Sequence, residues 1–321
     1  MIIKIKDTWG YLLYDTQSHY FNCDLKEDIG ALPYTTHPLV LNCYITHKCN
    51  MICKHCVAKD MAEYNKSDLK VSPGLVKWIN DSPFIAVVLS GGEPLLPEKE
   101  EDLLFLINNL EKKGIIIDTN GTIVPSEKLL SACMSKDVLF RVSFDSTRPE
   151  EEVALRMSRE KKDSKKAYFS KLSNIEKLLE SKSSVSIQTV LHKTNSASME
   201  SLLHQLMDWG IGSWYIQRLI PTKNLPKAKG RKKEKFYLES DVYEDRLSKI
   251  QSLSEEVGVS CITKKDRRHN CVFIMVGDGD IFTCSDKDGE RIFLGKIGKI
   301  QNYFEYVSAS EHSSRYYSIG R

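Results

Sequence analysis

The stretch LVLNCYITHKCNMICKHC, residues 39–56, runs a short apolar segment (39–45) directly into three cysteines, Cys49, Cys53 and Cys56, at spacing C-x3-C-x2-C. Thiolates so placed on one loop can hold three irons of a [4Fe-4S] cube and leave the fourth without a protein ligand in the motif. An open iron beside a pocket is a reagent, whereas a fully ligated cluster is usually an electron relay. The residues leave two other readings open. One is a zinc knuckle completed by His47 or His55, although zinc favours C-x2-C pairs and a fourth ligand. The other is a set of buried thiols that bind no metal.

Outward from this loop, apolar runs with strand character recur: FIAVVLS (84–90), GIIIDT (114–119), VLFRVSF (138–144), VSIQTVL (185–191) and WYIQRLI (214–220). Helix-period segments lie between them, such as EEDLLFLINNLEKK (100–113), SEKLLSACM (126–134), SNIEKLLES (173–181) and SASMESLLHQLMDWG (196–210). Alternation of this kind predicts an α/β fold of parallel strands joined by crossover helices. In such folds ligands gather at the carboxyl ends of the strands, so polar motifs directly after a strand are the candidates for chemistry.

Four such motifs stand out. Ser90 to Pro94 (SGGEP) follow the second run, and Asp118 to Gly121 (DTNG) end the third. Ser143, Phe144 and Asp145 end the fourth, with Arg156 thirteen residues after Ser143. The fifth and sixth runs carry Gln188, Thr189, Gln217 and Arg218 inside apolar surroundings. Each has a plain structural reading as well: glycine and Asn-Gly for turns, Arg156 in a surface ion pair. Alternation puts Gln188 and Val190 on one face and Thr189 and Leu191 on the other, without saying which face is inside.

The strand followed by C-x3-C-x2-C, with SGGEP, TNG and S-F-D…R in order behind it, resembles the radical S-adenosylmethionine (radical SAM) superfamily over residues 39–300. The resemblance implies a partial (β/α)6 TIM-type barrel over 39–222. It implies a [4Fe-4S] cluster on Cys49, Cys53 and Cys56, whose open iron is chelated by the amine and carboxylate of S-adenosylmethionine. It also implies reductive cleavage of that cofactor to a 5′-deoxyadenosyl radical that abstracts a substrate hydrogen. Gly91, Gly92 and Glu93 would bind the methionyl amine, Thr119 and Asn120 would line the cofactor pocket, and Ser143 would hydrogen-bond it. Arg156 would pair with its carboxylate, a geometry guanidinium suits, with Asp145 alternatively facing substrate. His55 stands where the family usually has an aromatic residue and can stack on the adenine, and Gln188 joins this cofactor-binding set. His192 and Asn195, in HKTN, are similar to the family's fifth strand end.

Residues 1–38 form a β-rich lead-in (IIKIK, YLLYD, HYFNCD), and the strand–helix rhythm stops after 222. A basic run at 223–235 reads as a solvated surface loop, so the chain divides into 1–38, 39–222 and 223–321. The last part predicts a helix at 240–258 and a hairpin at Gly277–Gly279, and it carries Cys261, Cys271 and Cys284, with Gly279 in a C-x7-G-x4-C run. Isolated core cysteines are one reading. The run also resembles the SPASM extension of peptide-modifying radical enzymes, which normally holds more cysteines and a pair of auxiliary clusters. Since no cysteine follows Cys284, the shorter twitch form with one auxiliary iron–sulfur cluster is what the resemblance supports. His269, His312 or an oxygen donor is left for its fourth site. An open auxiliary site that holds substrate, as in molybdenum cofactor biosynthesis enzymes, is a precedent by analogy only.

Composition sets the outer limits. The chain is 41% hydrophobic and 28% charged, ordinary for a globular protein, and its net charge of +3 is too small to imply a nucleic-acid partner. No apolar run is long enough to span a membrane. Nine cysteines with no secretory signal read as thiols or metal ligands in a reducing compartment, so the expected location is cytoplasmic. The expected activity is modification of a peptide or protein, with an electron donor of flavodoxin or ferredoxin type. The alternatives are a small-molecule substrate (nucleotide, sugar or amino-acid derivative) and a non-catalytic iron–sulfur or zinc protein.

Overall fold

The computed structural model describes residues 1–7, 10–17, 21–25, 39–61, 67–219, 236–263, 272–284 and 291–297. Three strands, β1 (Ile2–Asp7), β2 (Gly10–Asp15) and β3 (Phe21–Leu25), form an antiparallel sheet of their own. The six apolar runs become β4 (Val40–Thr46), β5 (Ala86–Gly91), β6 (Gly114–Thr119), β7 (Leu139–Ser143), β8 (Ser184–Leu191) and β9 (Ser213–Arg218). They pair in chain order, each parallel to the next. Helices Glu100–Asn109, Glu127–Ser135, Ser164–Glu180 and Met199–Asp208 connect them. The α/β fold with a parallel sheet is as expected, and the sheet does not close into a full barrel.

Strands from beyond residue 223 extend this sheet on both sides. β10 (Ser260–Thr263) adds in parallel to β9, and β11 (Val272–Val276) adds in parallel to β4. β12 (Asp280–Cys284) and β13 (Arg291–Lys296) continue antiparallel from β11, the β11–β12 turn falling at the glycines expected to make a hairpin. The helix Ser240–Glu256 precedes β10.

The barrel strands are apolar on their outward face and carry both apolar and polar residues on the inward one. The outward set, including Leu41, Val87, Ile117, Phe140, Ile187 and Trp214, packs under the helices in one buried cluster. The inward set begins with a smaller apolar layer of Val88, Ile116 and Leu139, with Val40 packed against it. Two helices absent from the strand–helix reading carry clear start signals. Ser72 caps Pro73–Asp81 by accepting from the Leu75 amide at 3.3 Å, and Pro149 opens Pro149–Leu155 ahead of three glutamates. Among the described residues no helix is long and apolar enough to cross a membrane.

The small sheet plugs the bottom of the barrel. Tyr14 of β2 is 1% exposed and rests on Gly114, where a Cβ would lie 2.1 Å from the tyrosine ring. Thr16 adds a 3.3 Å hydrogen bond to Asp137, just before β7. Gly114→Ala should therefore destabilise the protein by about 1–3 kcal/mol through overpacking. In a Tyr14→Ala background the same change should cost much less. Denaturant unfolding of the four proteins in this cycle measures the coupling; additive costs would show that the ring and the glycine do not meet.

Candidate active site

The cysteine loop leaves β4 and crosses the carboxyl end of β5 at very short range. The Gly92 amide donates to the Thr46 carbonyl at 2.6 Å, and the Glu93 amide donates to the Lys48 carbonyl at 2.8 Å. A Cβ on Gly92 would lie 1.9 Å from the Lys48 oxygen, and one on Gly91, whose φ is +119°, would lie 2.4 Å from the Thr46 oxygen. The two glycines are thus required by the crossing chain itself. On its other flank the loop is strapped to the segment after helix Pro149–Leu155. The Ile52 amide donates to Met157 at 2.8 Å, the Lys54 amide to Leu155 at 2.9 Å, and the Arg159 amide to the Asn50 carbonyl at 3.0 Å. A third tie comes from the β6 end: Asn120 donates to Asn50 Oδ1, and Asn50 Nδ2 donates to Thr122, both at 2.8 Å.

This clamped loop forms one wall of a cavity of about 1050 Å3 that reaches down the barrel to Tyr14. Of the residues expected at the site, Cys49, Cys53, Cys56, His55, Gly91, Gly92, Thr119, Asn120, Ser143, Arg156 and Gln188 all border it. Gln188 and Val190 form the inner face of β8, while Thr189 points outward, donating to the Phe144 carbonyl and accepting from Trp214. Among the described residues no three His, Cys, Asp or Glu side chains converge on one point as ligands of a single metal ion. Three thiols on one loop at the edge of a cavity fit a cube, where each takes a different iron. Burial pushes the Cys49 thiol up to about 12 and raises Cys53 as well, the latter partly offset by the neighbouring Arg156 guanidinium. Burial, helped by Arg156, pushes His55 down to about 3, and its Nδ1 has no hydrogen-bond partner among the described residues. The ring thus borders the cavity in its neutral form.

Two residues are used differently from what the family resemblance implies. Glu93 is fully buried and does not border the cavity; its Oε1 accepts from the Thr119 hydroxyl (2.7 Å) and the Leu95 amide (3.1 Å), and its Oε2 from the Asn120 amide (2.8 Å). Its carboxylate joins the β5 and β6 ends, and only the backbone beside it reaches the pocket. Asp145 does not face substrate either. It is 1% exposed and forms a two-point ion pair with Arg156 at 2.7 and 3.0 Å, while also accepting from the Val190 amide at 2.8 Å. Burial alone would raise the Asp145 carboxyl, but Arg156 outweighs it and holds it down at about 2. Arg156 borders the cavity with its charge already matched.

Sequence reasoning missed Arg159, which borders the cavity and donates from Nε and Nη2 to the Cys49 carbonyl at 3.2 and 2.9 Å. No carboxylate among the described residues pairs with it. The signal available was its place three residues after Arg156. It also missed the pair Asp118–Arg141 inside the barrel (2.6 and 2.8 Å), whose alternation on β6 and β7 with Ile116 and Ser143 marked both as inward-facing.

Cys261 lies on β10, in register with Trp214; it packs partly buried against the main core and borders the cavity. Cys284 ends β12, on the opposite side of the six barrel strands in the sheet order. Cys271, His269 and His312 lie outside the described residues.

Comparison with known proteins agrees with this geometry. The model of the Radical SAM superfamily matches residues 43–206. A probable GTP 3′,8-cyclase of Methanothermobacter thermautotrophicus is 33% identical over 112 residues, covering 33% of this chain and 35% of that protein. The chain thus matches about a third of that curated relative's length. Streptococcus suis SuiB bound to S-adenosylmethionine superposes with a TM-score of 0.66 at 10% identity, covering 94% of this chain and 87% of that one. Native anSMEcpe with bound AdoMet and the Cp18Cys peptide superposes with a TM-score of 0.64 at 18% identity, covering 83% and 80%. At these identities the likeness of the solved structures is one of fold.

The crossing at Gly92 makes a direct prediction. Gly92→Ala should displace the cysteine loop, so that anaerobic reconstitution leaves well under half of the wild-type iron; full loading would show that the loop can yield. A second prediction concerns pH. Burial outweighs the three hydrogen bonds and pushes Glu93 up to about 7 from its ordinary 4.5. The folded state then binds more protons than the unfolded one across that window, so stability falls as pH rises from 4.5 towards 7. Glu93→Gln should remove this slope, which denaturant unfolding at a series of pH values measures.

Proposed function

Because the chain belongs to the radical SAM superfamily, whose members use a [4Fe-4S] cluster and S-adenosylmethionine, we propose that Cys49, Cys53 and Cys56 hold that cluster and that the cavity beside them modifies a peptide or protein. The observation that carries the cofactor assignment is the clamped loop: three thiols on a backbone tied to the ends of β5 and β6 and to the 155–159 segment. Bound there, the cluster and cofactor supply, on one-electron reduction, a 5′-deoxyadenosyl radical that takes a hydrogen atom from substrate. The protein's own part is placement. The strand-end backbone at Ser90–Gly92 offers carbonyls to an ammonium, and Arg159 and Lys59 bring positive charge to the cluster end. Ser143, Thr119 and Asn120 give hydrogen-bonding groups around the cofactor, and the neutral His55 offers a flat ring to an adenine.

Three features support a peptide substrate. The cavity, at about 1050 Å3, lies at the upper end of the roughly 300–1,000 Å3 usual for ligand sites. Among the described residues β1 and β3 are the edge strands of the three-stranded sheet, and such edges can pair with an extended chain. The fold also extends over most of the chain in likeness to SuiB and to anSMEcpe, the latter solved with a peptide. The second reading, a small-molecule substrate, rests on the stretch shared with the GTP 3′,8-cyclase relative. An auxiliary cluster on Cys261, Cys271 and Cys284, and electron delivery by a flavodoxin- or ferredoxin-type donor, complete the proposal.

Anaerobically reconstituted protein with dithionite and S-adenosylmethionine should release 5′-deoxyadenosine, and Cys49→Ala, Cys53→Ala or Cys56→Ala should lower the rate at least a hundredfold. Absence of the nucleoside with the wild-type protein would refute the enzymatic reading. Iron and sulfide counts on the triple variant address the auxiliary site: about four irons should remain if a second cube is present, and near zero would remove it.

A further inference from the structure

We infer that the lower barrel, between the cysteine loop and the Tyr14 floor, is a compartment with no unmatched cation among its described lining residues, which reads an uncharged carboxamide on the substrate and rejects a polyphosphate; this rests on the radical SAM reading of the cavity above it. The residues stack in tiers by strand register. Asn42 pairs with Val88 and Ile116 in the apolar tier, Asp118 with Arg141 and Ser186 in the next, and Gln188 with Ser143 and Tyr215 above them. The middle tier holds the compartment's one cation–anion pair among the described residues. Both guanidinium–carboxylate bonds are short, at 2.6 and 2.8 Å, and the guanidinium lies 5.1 Å over the Tyr215 ring.

Charge counting along the cavity separates its two ends. Among the described lining residues the cations are Lys59, Arg141, Arg156 and Arg159, and the carboxylates are Asp118 and Glu255. Arg141 and Arg156 are matched by Asp118 and Asp145. The two without a carboxylate partner, Lys59 and Arg159, donate to the carbonyls of Cys53 and Cys49, at the cluster end, where an anionic cluster and a methionyl carboxylate need them. A nucleoside triphosphate lowered into the barrel would set its charges against Asp118 with no unmatched cation to receive them, a costly desolvation.

What the compartment offers is paired donors and acceptors. Gln217 donates to Gln188 at 3.3 Å, which engages one group on each amide and leaves others for a guest. Arg141 spends two of its five N–H donors on Asp118. Asn42 Oδ1 and Ser186 Oγ are buried and have no hydrogen-bond partner among the described residues; Asn42 borders the cavity, whereas Ser186 lies behind its wall. Buried polar atoms of this kind are normally satisfied. A planar amide, with its carbonyl towards Arg141 or Gln217 and its N–H towards Asn42 or Gln188, meets these needs without introducing charge.

The test uses reconstituted holoenzyme with S-adenosylmethionine and equilibrium dialysis of four probes: N-acetylglutamine N-methylamide and N-acetylasparagine N-methylamide for a residue within a peptide, free glutamine for a metabolite, and GTP for a polyphosphate. The blocked amides should be retained, free glutamine less, and GTP not at all. Gln217→Leu should weaken retention roughly three- to tenfold, the loss of about one neutral hydrogen bond. Gln217→Glu, which keeps size but adds charge, should weaken it further. Retention of GTP in preference to the amides, or amide binding indifferent to both variants, overturns the inference. Preference for free glutamine over the blocked forms would overturn its peptide assignment. Wild-type protein that forms 5′-deoxyadenosine yet ignores the amides sinks this inference alone; protein that retains them but forms no nucleoside sinks the parent reading alone.

Discussion

The near-contact of two backbones, the cysteine loop and the end of β5, is the constraint on which the rest of the site depends. A loop that must hold three separated thiols cannot rely on side-chain packing to fix its course. Here it is fixed by main-chain hydrogen bonds to both flanks, and those on the β5 side form only because Gly91 and Gly92 bring no Cβ into the gap. With the loop seated, all three thiols border the cavity, and a backbone fixed by its own hydrogen bonds lowers the ordering cost of holding a ligand there.

Beneath the loop, the ionised groups act on backbone rather than on ligands. Lys171 is 1% exposed, pairs with Glu152 and donates to the Ser143 carbonyl at 2.9 Å; Glu152 in turn accepts from the Asp145 amide at 2.6 Å and the Ser146 amide at 3.2 Å. Asp145 then holds Arg156 and the Val190 amide. The end of β7 is thereby fixed to two helices and to β8 by charges that water cannot reach. Such pairs add little net stability over apolar packing, but removing one partner typically costs about 3–5 kcal/mol. Their return is position: Ser143 and Arg156 sit at the cavity at defined places.

The six strands, their parallel pairing and the cysteine loop were legible because each is a local pattern with one physical meaning. The strand-end motifs were legible as locations and less so as roles. SGGEP was expected to bring carbonyls to an amine, yet its glycines answer to the Lys48 and Thr46 carbonyls, which lie more than forty residues earlier in the chain. Arg156 and Glu93 carry charges that a ligand would welcome, but burial sets them against Asp145 and the β6 amides, and a single sequence does not display its own non-local partners. Tyr14 in YLLYD looked like an ordinary strand residue because its counterpart is the absence of a side chain at Gly114. The inner face of β8 became readable only with its neighbours' register in place.

The gradient of charge along the cavity fits the chemistry assigned to it. Hydrogen-atom transfer moves a proton and an electron together, so no charge develops on the substrate and the lumen has none to stabilise, unlike an oxyanion hole. Rate then depends on orientation, on holding one C–H bond in reach of the radical while others are kept away. Directional hydrogen bonds from amides and a matched ion pair supply orientation. Reduction of a cluster held by Cys49, Cys53 and Cys56 would, in contrast, add negative charge at the loop. Lys59 and Arg159, the described lining cations without a carboxylate partner, are placed at that end. An unmatched cation deep in the barrel would favour anionic guests and pull them off the reaction line, so pairing Arg141 with Asp118 keeps the donors of a guanidinium while removing its long-range attraction.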